Sequence, residues 1–342
     1  MHEDVDIVAL ALDLMRIPSP TGTEDAAASF IERWALQRGV GVRAIPVDGE
    51  RRDLLLCGAR PPRVLLTTHL DTVPGGPAPR LDGERLRGRG ACDAKGIAAA
   101  MLGALLDLHA SGRDDVAVLL VVGEETNSDG ARAAARVLDP VEFLINGEPT
   151  DLRFVRAQRG ALAFSLTCTG RACHSGYPEL GLSALHSLLD TLDRLRAEHW
   201  PRDANIGDTL LNVGTLHGGD APNVLAPLAR AEIMMRIATR VDEVEARVRS
   251  LLGPDVEMDL RTRSDPQHLV VPQGRPECVV GFASDVAHLR PLGSPLMVGP
   301  GSIHVAHTDD EQVAVADLHQ ARQLYRGLCV DLLDGKVPHD PG

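Results

Sequence analysis

The sequence predicts an α/β protein in which a discontinuous domain, with a mixed central sheet covered by helices, is interrupted by a smaller inserted α+β domain. The chain has 342 residues, which exceeds the usual size of one compact domain. Its first half alternates helical patterns with continuous apolar runs, which is typical of strands covered on both faces. The pattern changes after Arg159-Gly160 and returns near Pro276. We therefore expect residues 1–158 and 268–342 to form the larger domain and residues 159–267 the insertion.

Apolar spacing and chain-breaking residues define five elements in the first half of the chain. Amphipathic helices place apolar residues three or four apart, and buried strands are short continuous apolar runs. In order, the sequence predicts helices over residues 5–17, 24–38 and 94–109, and strands at Arg63-Val-Leu-Leu-Thr-Thr and over residues 116–122. Pro18 and Gly112 lie where the first and third helices end, as expected of these residue types.

The second half of the chain begins with an α+β pattern and ends with a long helix. Alternating or apolar strand patterns are mixed here with amphipathic helical ones. In order, the sequence predicts a strand over residues 161–169, a helix over 182–196, strands over 209–216 and 230–237, and helices over 241–252 and 310–333. The last helix belongs to the larger domain.

Composition excludes several classes of partner. Lys and Arg total 35 against 48 Asp and Glu, a formal net charge of −13 that repels phosphate backbones and anionic lipids. We therefore expect neither a nucleic-acid nor a membrane partner, and no apolar run reaches membrane-spanning length. The first residues show no secretory signal, and the six cysteines include no Cys-x-x-Cys pair. Reduced thiols and a cytoplasmic protein are expected.

Metal-ligating residue types follow the predicted strands. In Thr67-Thr-His-Leu-Asp-Thr-Val-Pro-Gly75, His69 and Asp71 are two apart and so lie on one side of an extended chain. Such a histidine can bind a metal while the carboxylate orients its ring. In Gly88-Arg-Gly-Ala-Cys-Asp-Ala-Lys-Gly96, Asp93 lies between a glycine-rich turn and a helix, where it can bridge two metals or cap the helix. The glycine-rich run matches neither common phosphate-binding motif.

Acidic residues follow two further strands, and two histidines lie in a late loop. Glu124 and Glu125 follow the most apolar strand and point in opposite directions, so one can bind a metal while the other reaches the attacking water. Glu148 follows the apolar run Leu144-Ile-Asn, and His304 and His307 lie in a glycine-rich loop before the last helix. Taken alone, the adjacent glutamates favour solvation, and an isolated loop histidine is more often solvated or hydrogen-bonded than a metal ligand.

Together, these residues suffice for two cation sites that share Asp93, with one further acid for proton transfer. Mixed nitrogen and oxygen ligands suit Zn²⁺, with one or two ions per chain and Co²⁺ or Mn²⁺ as substitutes. Two neighbouring cations can activate water and polarise an amide carbonyl, so the sequence predicts a metal-dependent amidohydrolase. A serine hydrolase is disfavoured because no Gly-x-Ser-x-Gly elbow is present.

The order and combination of these segments resemble the M20 family of metallopeptidases and deacylases over nearly the whole chain. The matching blocks are Thr68-His-Leu-Asp-Thr-Val-Pro-Gly, Gly88-Arg-Gly-Ala-Cys-Asp-Ala-Lys-Gly, Gly123-Glu-Glu, Gly147-Glu-Pro-Thr and Gly299-Pro-Gly-Ser-Ile with Ala306-His. The resemblance implies that one metal is bound by His69 and Glu148, the other by Glu125 and His307, and both by Asp93. It also implies that Asp71 orients His69, that Glu124 is the general acid/base, and that a cis peptide follows Asp93.

The same resemblance makes the inserted domain a lid and dimerisation domain, so we expect a homodimer formed through it. Gly170-Arg-Ala-Cys-His-Ser-Gly resembles a block whose histidine, here His174, reaches a substrate carbonyl, often across the dimer interface. Gly218-Gly-Asp-Ala-Pro-Asn-Val resembles a block whose asparagine, here Asn223, contacts substrate. Arg236 occupies the place of an arginine that binds the carboxylate of a small-molecule substrate. A surface histidine, a turn asparagine and an exposed strand arginine are the alternatives.

Within this family, the sequence favours hydrolysis of an N-acyl amino acid, of the deacetylase or desuccinylase type found in amino-acid biosynthesis. The Gly299-Pro-Gly-Ser-Ile run favours that branch. A dipeptidase or carboxypeptidase that uses the same metals and water is the alternative. A non-catalytic binding protein descended from an enzyme is disfavoured, because all five ligand positions and Glu124 are retained. Two departures, His304 and the run Asp309-Asp-Glu, leave the local contacts of the late loop open.

Overall fold

The computed structural model describes residues 5–337, which divide into two compact units. The first unit comprises the described residues up to Arg156, together with Leu269–Cys278 and those from Ser284 onwards. The second comprises Ala157–His268 and Val279–Ala283. The first unit is therefore discontinuous in sequence, whereas the second is formed largely by one uninterrupted stretch.

Helices and strands are interspersed along the described chain. The helices are α1 Ile7–Met15, α2 Asp25–Leu36, α3 Lys95–Ala110, α4 Asp129–Val137, α5 Ala184–Ala197, α6 Val241–Leu251, α7 Val286–Leu289 and α8 Val315–Leu333. The strands are β1 Gly41–Asp48, β2 Arg51–Cys57, β3 Val64–His69, β4 Arg80–Asp82, β5 Arg85–Arg87, β6 Val116–Val121, β7 Phe143–Asn146, β8 Phe154–Gln158, β9 Gly160–Thr169, β10 Arg202–Asp203, β11 Gly207–Asp208, β12 Leu210–Gly218, β13 Leu228–Ile237, β14 Val256–Ser264, β15 Gln267–His268, β16 Glu277–Val280, β17 Ser294–Met297 and β18 Gln312–Ala314.

The first unit is built on a six-stranded sheet with the strand order β1-β2-β6-β3-β7-β17. β1 and β2 form an antiparallel hairpin, and β2 is antiparallel to β6. β6, β3, β7 and β17 are parallel to one another. The sheet is therefore mixed, and the predicted fold class is confirmed.

Helices cover both faces of this sheet, as the continuous apolar runs predict. In β6, Val118 and Leu120 pack in a core that also contains residues of α1, α3 and α8. Leu119 and Val121 pack in a second cluster that contains residues of α4 and α7. Successive side chains of a strand point to opposite faces. A strand covered on both sides therefore needs apolar residues at every position, and all six residues of β6 are buried.

The second unit is a four-stranded antiparallel sheet with two helices on one face. Its strand order is β12-β13-β9-β14. Along β13, Ala231, Ile233 and Met235 are buried in a cluster with residues of α5 and α6, and the residues between them are more exposed. This alternation is typical of a sheet with one buried face. The alternating pattern that the sequence shows in this region therefore corresponds to an α+β arrangement.

The last helix begins later than the sequence predicts. Its expected start was residue 310, but α8 begins at Val315 because Gln312–Ala314 pair with Arg85–Arg87 as strand β18. This long-range pairing overrides the local helical pattern. No helix within residues 5–337 combines the length and apolarity needed to cross a membrane.

Candidate metal centre

Three parallel strands bring residues that are distant in sequence to one edge of the six-stranded sheet. β3 ends at His69, Glu124 and Glu125 follow β6, and Glu148 follows β7. β3 lies between β6 and β7 and is parallel to both, with His69 beside Val121. The carboxyl ends of parallel strands meet at one edge, which is where open α/β sheets bind ligands.

Asp93 and His307 lie in loops beside this edge. Asp93 precedes α3, and the peptide bond between Asp93 and Ala94 is cis, as the family resemblance implied. His307 has a φ of 63°, an uncommon value for a residue with a side chain that is often found at functional positions. A Cβ on Gly301 would lie 2.5 Å from the Cβ of Cys92, so glycine is needed where the His307 loop approaches the Asp93 turn.

The predicted ligands form two groups that share Asp93. Ligand atoms of His69, Asp93 and Glu148 lie within 4.8 Å of one another, and so do those of Asp93, Glu125 and His307. Nε2 of His69 is 2.9 Å from Oδ1 of Asp93, and Nε2 of His307 is 3.2 Å from Oδ2. Each oxygen of Asp93 therefore lies next to a different histidine. This geometry is what a bridging carboxylate requires, and the assignment of the ligands stays a prediction.

The Asp71 carboxylate contacts the turn that carries Glu124 and Glu125 more closely than it contacts the His69 ring. Nδ1 of His69 is 2.9 Å from the backbone oxygen of Asp71 and 3.5 Å from its Oδ1. The backbone N–H groups of Glu124 and Glu125 donate to Oδ1 and Oδ2 of Asp71, each at 3.1 Å. Asp71 thus contacts the His69 ring mainly through its carbonyl oxygen, while its carboxylate holds the turn.

Burial and like charge disfavour ionised carboxylates in this centre. Burial raises the pKa of Glu124 well above its usual value, and the nearby Glu148 adds to the rise. Burial also raises the pKa of Glu148 to about 8, although the His69 ring opposes the shift. The carboxylates therefore require positive charge close to them in order to ionise.

Neighbouring carboxylates favour the protonated forms of the two histidines. Hydrogen bonds to Asp93 and Glu125 raise the pKa of His307 to about 10. Burial acts to lower the pKa of His69, but hydrogen bonds to Asp71 and Asp93 outweigh it and raise that pKa well above its usual value. Burial acts to raise the pKa of Asp93, and hydrogen bonds to both histidines lower it overall.

The donor set fits divalent cations. Each group offers one imidazole nitrogen and two carboxylates, a mixture that suits Zn²⁺ and related ions. His69, Asp93 and Glu148 are buried, so their placement is fixed by packing. Nδ2 of Asn146 donates to Oε1 of Glu148 at 3.2 Å, which orients this carboxylate in the way that hydrogen bonds to metal ligands usually do.

Glu124 differs from its neighbour in having an unpaired side chain. Glu125 lies 3.0 Å from Nε2 of His307, whereas the Glu124 carboxylate has no hydrogen bond or ion pair within the described part of the chain. A carboxylate that is held by its backbone and free at its oxygens can exchange a proton with water.

The residues expected to contact substrate lie in the second unit. His174 forms an isolated antiparallel bridge with Val224, and the Ser175 N–H donates to the Asn223 carbonyl oxygen at 3.0 Å. Arg236 is the penultimate residue of β13. The structure thus brings the His174 and Asn223 segments together and places Arg236 on the sheet.

Three supporting residues, Thr21, Glu311 and Asn146, were not identified from the sequence. The Thr21 hydroxyl donates to Oδ2 of Asp71 at 2.7 Å, and the Glu311 carboxylate accepts the Asp93 N–H at 3.3 Å. These pairs are 50 and 218 residues apart, so no local pattern reveals them. Asn146 could have been found, because it precedes Glu148 by two residues at the end of a predicted strand.

Two family models match parts of the chain. The model described as peptidase dimerisation domain matches residues 156–257, which belong almost wholly to the second unit. The model described as peptidase family M28 matches residues 56–152. The latter segment contains all the candidate ligands except His307.

Similarity to known proteins extends over most of the chain. It is 32% identical over 334 residues to a peptidase M20 domain-containing protein of Schizosaccharomyces pombe, covering 94% of this chain and 83% of that protein. It is 37% identical over 366 residues to a probable carboxypeptidase of Aspergillus oryzae, covering 92% of this chain and 85% of that protein. It also aligns with the M20 family metallo-carboxypeptidase Sso-CP2 of Sulfolobus solfataricus with a TM-score of 0.78 and 15% identity, covering 95% of this chain and 98% of that one. This last similarity supports the fold.

Proposed function

Since the chain belongs to the M20 peptidase family, we propose that it is a metal-dependent carboxypeptidase or dipeptidase that cleaves the C-terminal peptide bond of a short peptide. Its enzyme class follows from the family: it is a metallohydrolase of peptide or linear amide bonds. One observation carries the proposal. Two groups of ligand residues that share Asp93 converge at one sheet edge, next to Glu124, whose side chain has no partner among residues 5–337.

The two groups would hold one divalent cation each. His69 and Glu148 would bind one ion, Glu125 and His307 the other, and Asp93 both. Zinc suits this donor set best, and cobalt or manganese are the expected substitutes. When bound, such a pair of ions supplies the Lewis-acid chemistry that activates water and polarises the scissile carbonyl group.

Glu124 would transfer the proton. Its carboxylate would take a proton from the attacking water and donate it to the leaving nitrogen. Because burial raises the pKa of Glu124, the group can hold that proton between the two steps. The carboxylate of Asp71, bonded to the Glu124 N–H at 3.1 Å, would keep the backbone of the glutamate in place.

His174 would bind a substrate carbonyl oxygen. The Gly176 N–H donates to Nδ1 of His174 at 3.1 Å, so the proton of the neutral ring lies on Nε2. His174 is exposed, and its Nε2 has no partner within residues 5–337. Asn223 would contact the substrate beside it, and Arg236 would pair with the free carboxylate, for which the guanidinium geometry is suited.

The names of the relatives favour peptides over N-acyl amino acids. A protein 37% identical to this chain is a probable carboxypeptidase, and none of the relatives described above is named a deacetylase or desuccinylase. The interpretation that the sequence favoured, a deacylase of amino-acid biosynthesis, is therefore less well supported than its alternative. Both classes of substrate carry a free carboxylate.

We also propose that the second unit forms a homodimer. Residues 156–257 match the peptidase dimerisation domain. β12 lies at an edge of the four-stranded sheet, and its Leu210 and Leu216 are 50% and 40% exposed. On α5, Leu189 is also exposed. An edge strand with exposed apolar residues is a surface that pairs readily with a second chain.

A substrate panel tests the proposal. The purified chain is stripped with EDTA, reloaded with zinc or cobalt, and assayed on dipeptides, tripeptides, and N-acetyl and N-succinyl amino acids. C-terminally amidated peptides serve as matched controls. We expect metal-dependent cleavage of the free peptides and a loss of roughly tenfold or more on amidation, because the carboxylate no longer pairs with arginine. Faster cleavage of N-acyl amino acids would favour the deacylase, and no cleavage with any metal would overturn the proposal.

A further inference from the structure

A segment that precedes α2 lies along the residues that follow β3. Oγ of Ser19 donates to the Leu70 carbonyl oxygen at 2.7 Å, and the Thr72 N–H donates to the Ser19 carbonyl oxygen at 3.0 Å. Pro20 and Thr72 form an isolated parallel bridge. Ser19, Leu70 and Thr72 are all buried. The segment is therefore fixed against the residues on both sides of Asp71.

This contact places the Thr21 hydroxyl on the Asp71 carboxylate. Oγ1 of Thr21 donates to Oδ2 of Asp71 at 2.7 Å. The N–H of Glu125 donates to the same oxygen and the N–H of Glu124 to Oδ1, each at 3.1 Å, while Nδ1 of His69 lies farther away, 3.5 Å from Oδ1. Asp71 is fully buried. Three donors thus approach this carboxylate to 3.1 Å or less, and two of them belong to the glutamate turn, residues 123–128.

A second route joins the same segment to the far end of the glutamate turn. Glu24 accepts the Gly22 N–H at 3.0 Å and pairs with Arg51 at 2.9 Å. Arg51 also pairs with Asp129, the first residue of α4, at 2.7 Å. Glu24 is fully buried. Residues 19–24 therefore support the glutamate turn both through Asp71 and through Arg51.

We infer that Thr21 is a positioning residue, which fixes the glutamate turn through the Asp71 carboxylate and thereby sets the place of Glu124. The inference rests on the proposed function of Glu124 in proton transfer. Without the hydroxyl, Oδ2 of Asp71 keeps only the Glu125 N–H among its described donors, and the carboxylate is held less firmly. A displaced proton-transfer group lowers the rate of the chemical step more than it lowers substrate binding.

The experiment compares three variants under zinc-loaded conditions. Thr21→Val keeps the branched shape and removes the hydroxyl, and we expect kcat to fall about tenfold with KM changed by less than about twofold. Thr21→Ser restores a hydroxyl and should keep kcat within about twofold of the wild type. Thr23→Val is the matched control, because the exposed Thr23 hydroxyl donates only to the Pro20 carbonyl oxygen, at 2.8 Å. All assays are run well below the measured unfolding midpoint of each variant.

Hydrogen exchange of the metal-free proteins gives a measurement that does not depend on activity. We expect amides in residues 123–128 to exchange about tenfold faster in Thr21→Val, and at the wild-type rate in Thr21→Ser and Thr23→Val. An unchanged kcat for Thr21→Val in an active enzyme would overturn the inference. If the wild-type chain cleaves no substrate with any metal, the proposed function fails, and unchanged exchange would then separately reject the positioning role.

Discussion

Glu311 holds the backbone of Asp93 although 218 residues separate them, with its Oε1 3.3 Å from the Asp93 nitrogen. The same oxygen is 3.4 Å from the Cys92 nitrogen, and the other oxygen pairs with Arg89. The Glu311 side chain is fully buried and that of Arg89 is largely buried. One carboxylate thus satisfies the N–H groups of the turn that carries the candidate bridging ligand.

Glu311→Gln should destabilise the protein. The substitution keeps an acceptor for the Asp93 N–H but removes the charge that pairs with Arg89. We expect the free energy of unfolding of the metal-free protein to fall by roughly 3 kcal/mol, since a largely buried guanidinium loses its partner. Urea unfolding gives the value. Asp310→Asn, at the exposed neighbouring position, is the control and should change stability by less than about 0.5 kcal/mol. Equal stability of Glu311→Gln and the wild type would contradict this account.

Glu124→Gln should strongly reduce turnover and leave metal binding intact. Its side chain lies in neither ligand group, so both equivalents of zinc should remain. Loss of the proton-transfer group should lower kcat by a factor of about 10² to 10⁴. Glu125→Gln provides the contrast, because it removes a candidate ligand and should cost one equivalent of zinc. Metal analysis and steady-state kinetics of the two variants test these expectations. Near-normal turnover of Glu124→Gln would reject its role in proton transfer.

The late loop offers a matched pair of histidines that tests the metal groups. Both histidines are exposed, and His307 lies 3.2 Å from Asp93 and 3.0 Å from Glu125. His304, three residues earlier, belongs to neither group. His307→Ala should therefore lose one of two zinc equivalents and most of its activity, while His304→Ala should keep both. Zinc titration of the EDTA-treated variants measures the stoichiometry. Identical stoichiometry in the two variants would remove His307 from the ligand set.

Local patterns predicted the parts of the centre that lie at strand ends. His69, Glu125 and Glu148 each follow a short apolar run, and parallel strands necessarily bring their carboxyl ends to one edge. The continuous apolar character of β6 also revealed that both faces of the sheet are covered. These features depend on the spacing of neighbouring residues, which a single sequence displays.

Contacts between distant loops could not be predicted in the same way. Thr21 meets Asp71 and Glu311 meets Asp93 only because the fold brings separate loops together. Nothing in the composition of either loop specifies its partner. The predicted start of α8 was wrong for the same reason. Gln312–Ala314 have a helical pattern but pair with another strand. Pairing between distant segments determines both these loop contacts and the start of the helix, and only the folded structure shows that pairing.

Asp53 makes the stability of the first unit depend on pH. Burial raises the pKa of Asp53 from 3.8 to about 8, although the Val122 N–H, 3.0 Å from Oδ1, opposes the shift. Between these two values the folded protein keeps a proton that the unfolded chain has released. The free energy of unfolding must therefore fall as pH rises through this window.

Asp53→Asn should remove that dependence. The amide keeps an acceptor for the Val122 N–H and carries no charge. We expect the metal-free variant and wild type to have similar stability near pH 5, and the variant to be more stable near pH 9 by about 1–3 kcal/mol. Asp48→Asn, on the exposed part of the same hairpin, should show a difference that does not change with pH. The same Asp53→Asn difference at both pH values would exclude Asp53 as the titrating group.

Mixed dimers test whether His174 acts on the neighbouring subunit, as the family resemblance implies. His174 is exposed, and the Gly176 N–H on Nδ1 leaves Nε2–H as an outward donor. His174→Ala and Glu124→Gln should each be inactive, but a dimer containing one of each has one metal centre with Glu124 that receives an intact His174 from its partner. Random exchange should therefore restore about a quarter of the wild-type activity, since half of the dimers are mixed and each has one complete site. His186→Ala, at another exposed histidine of the second unit, should remain active without mixing. If mass spectrometry shows that the subunits exchange but activity is not restored, each chain completes its own site.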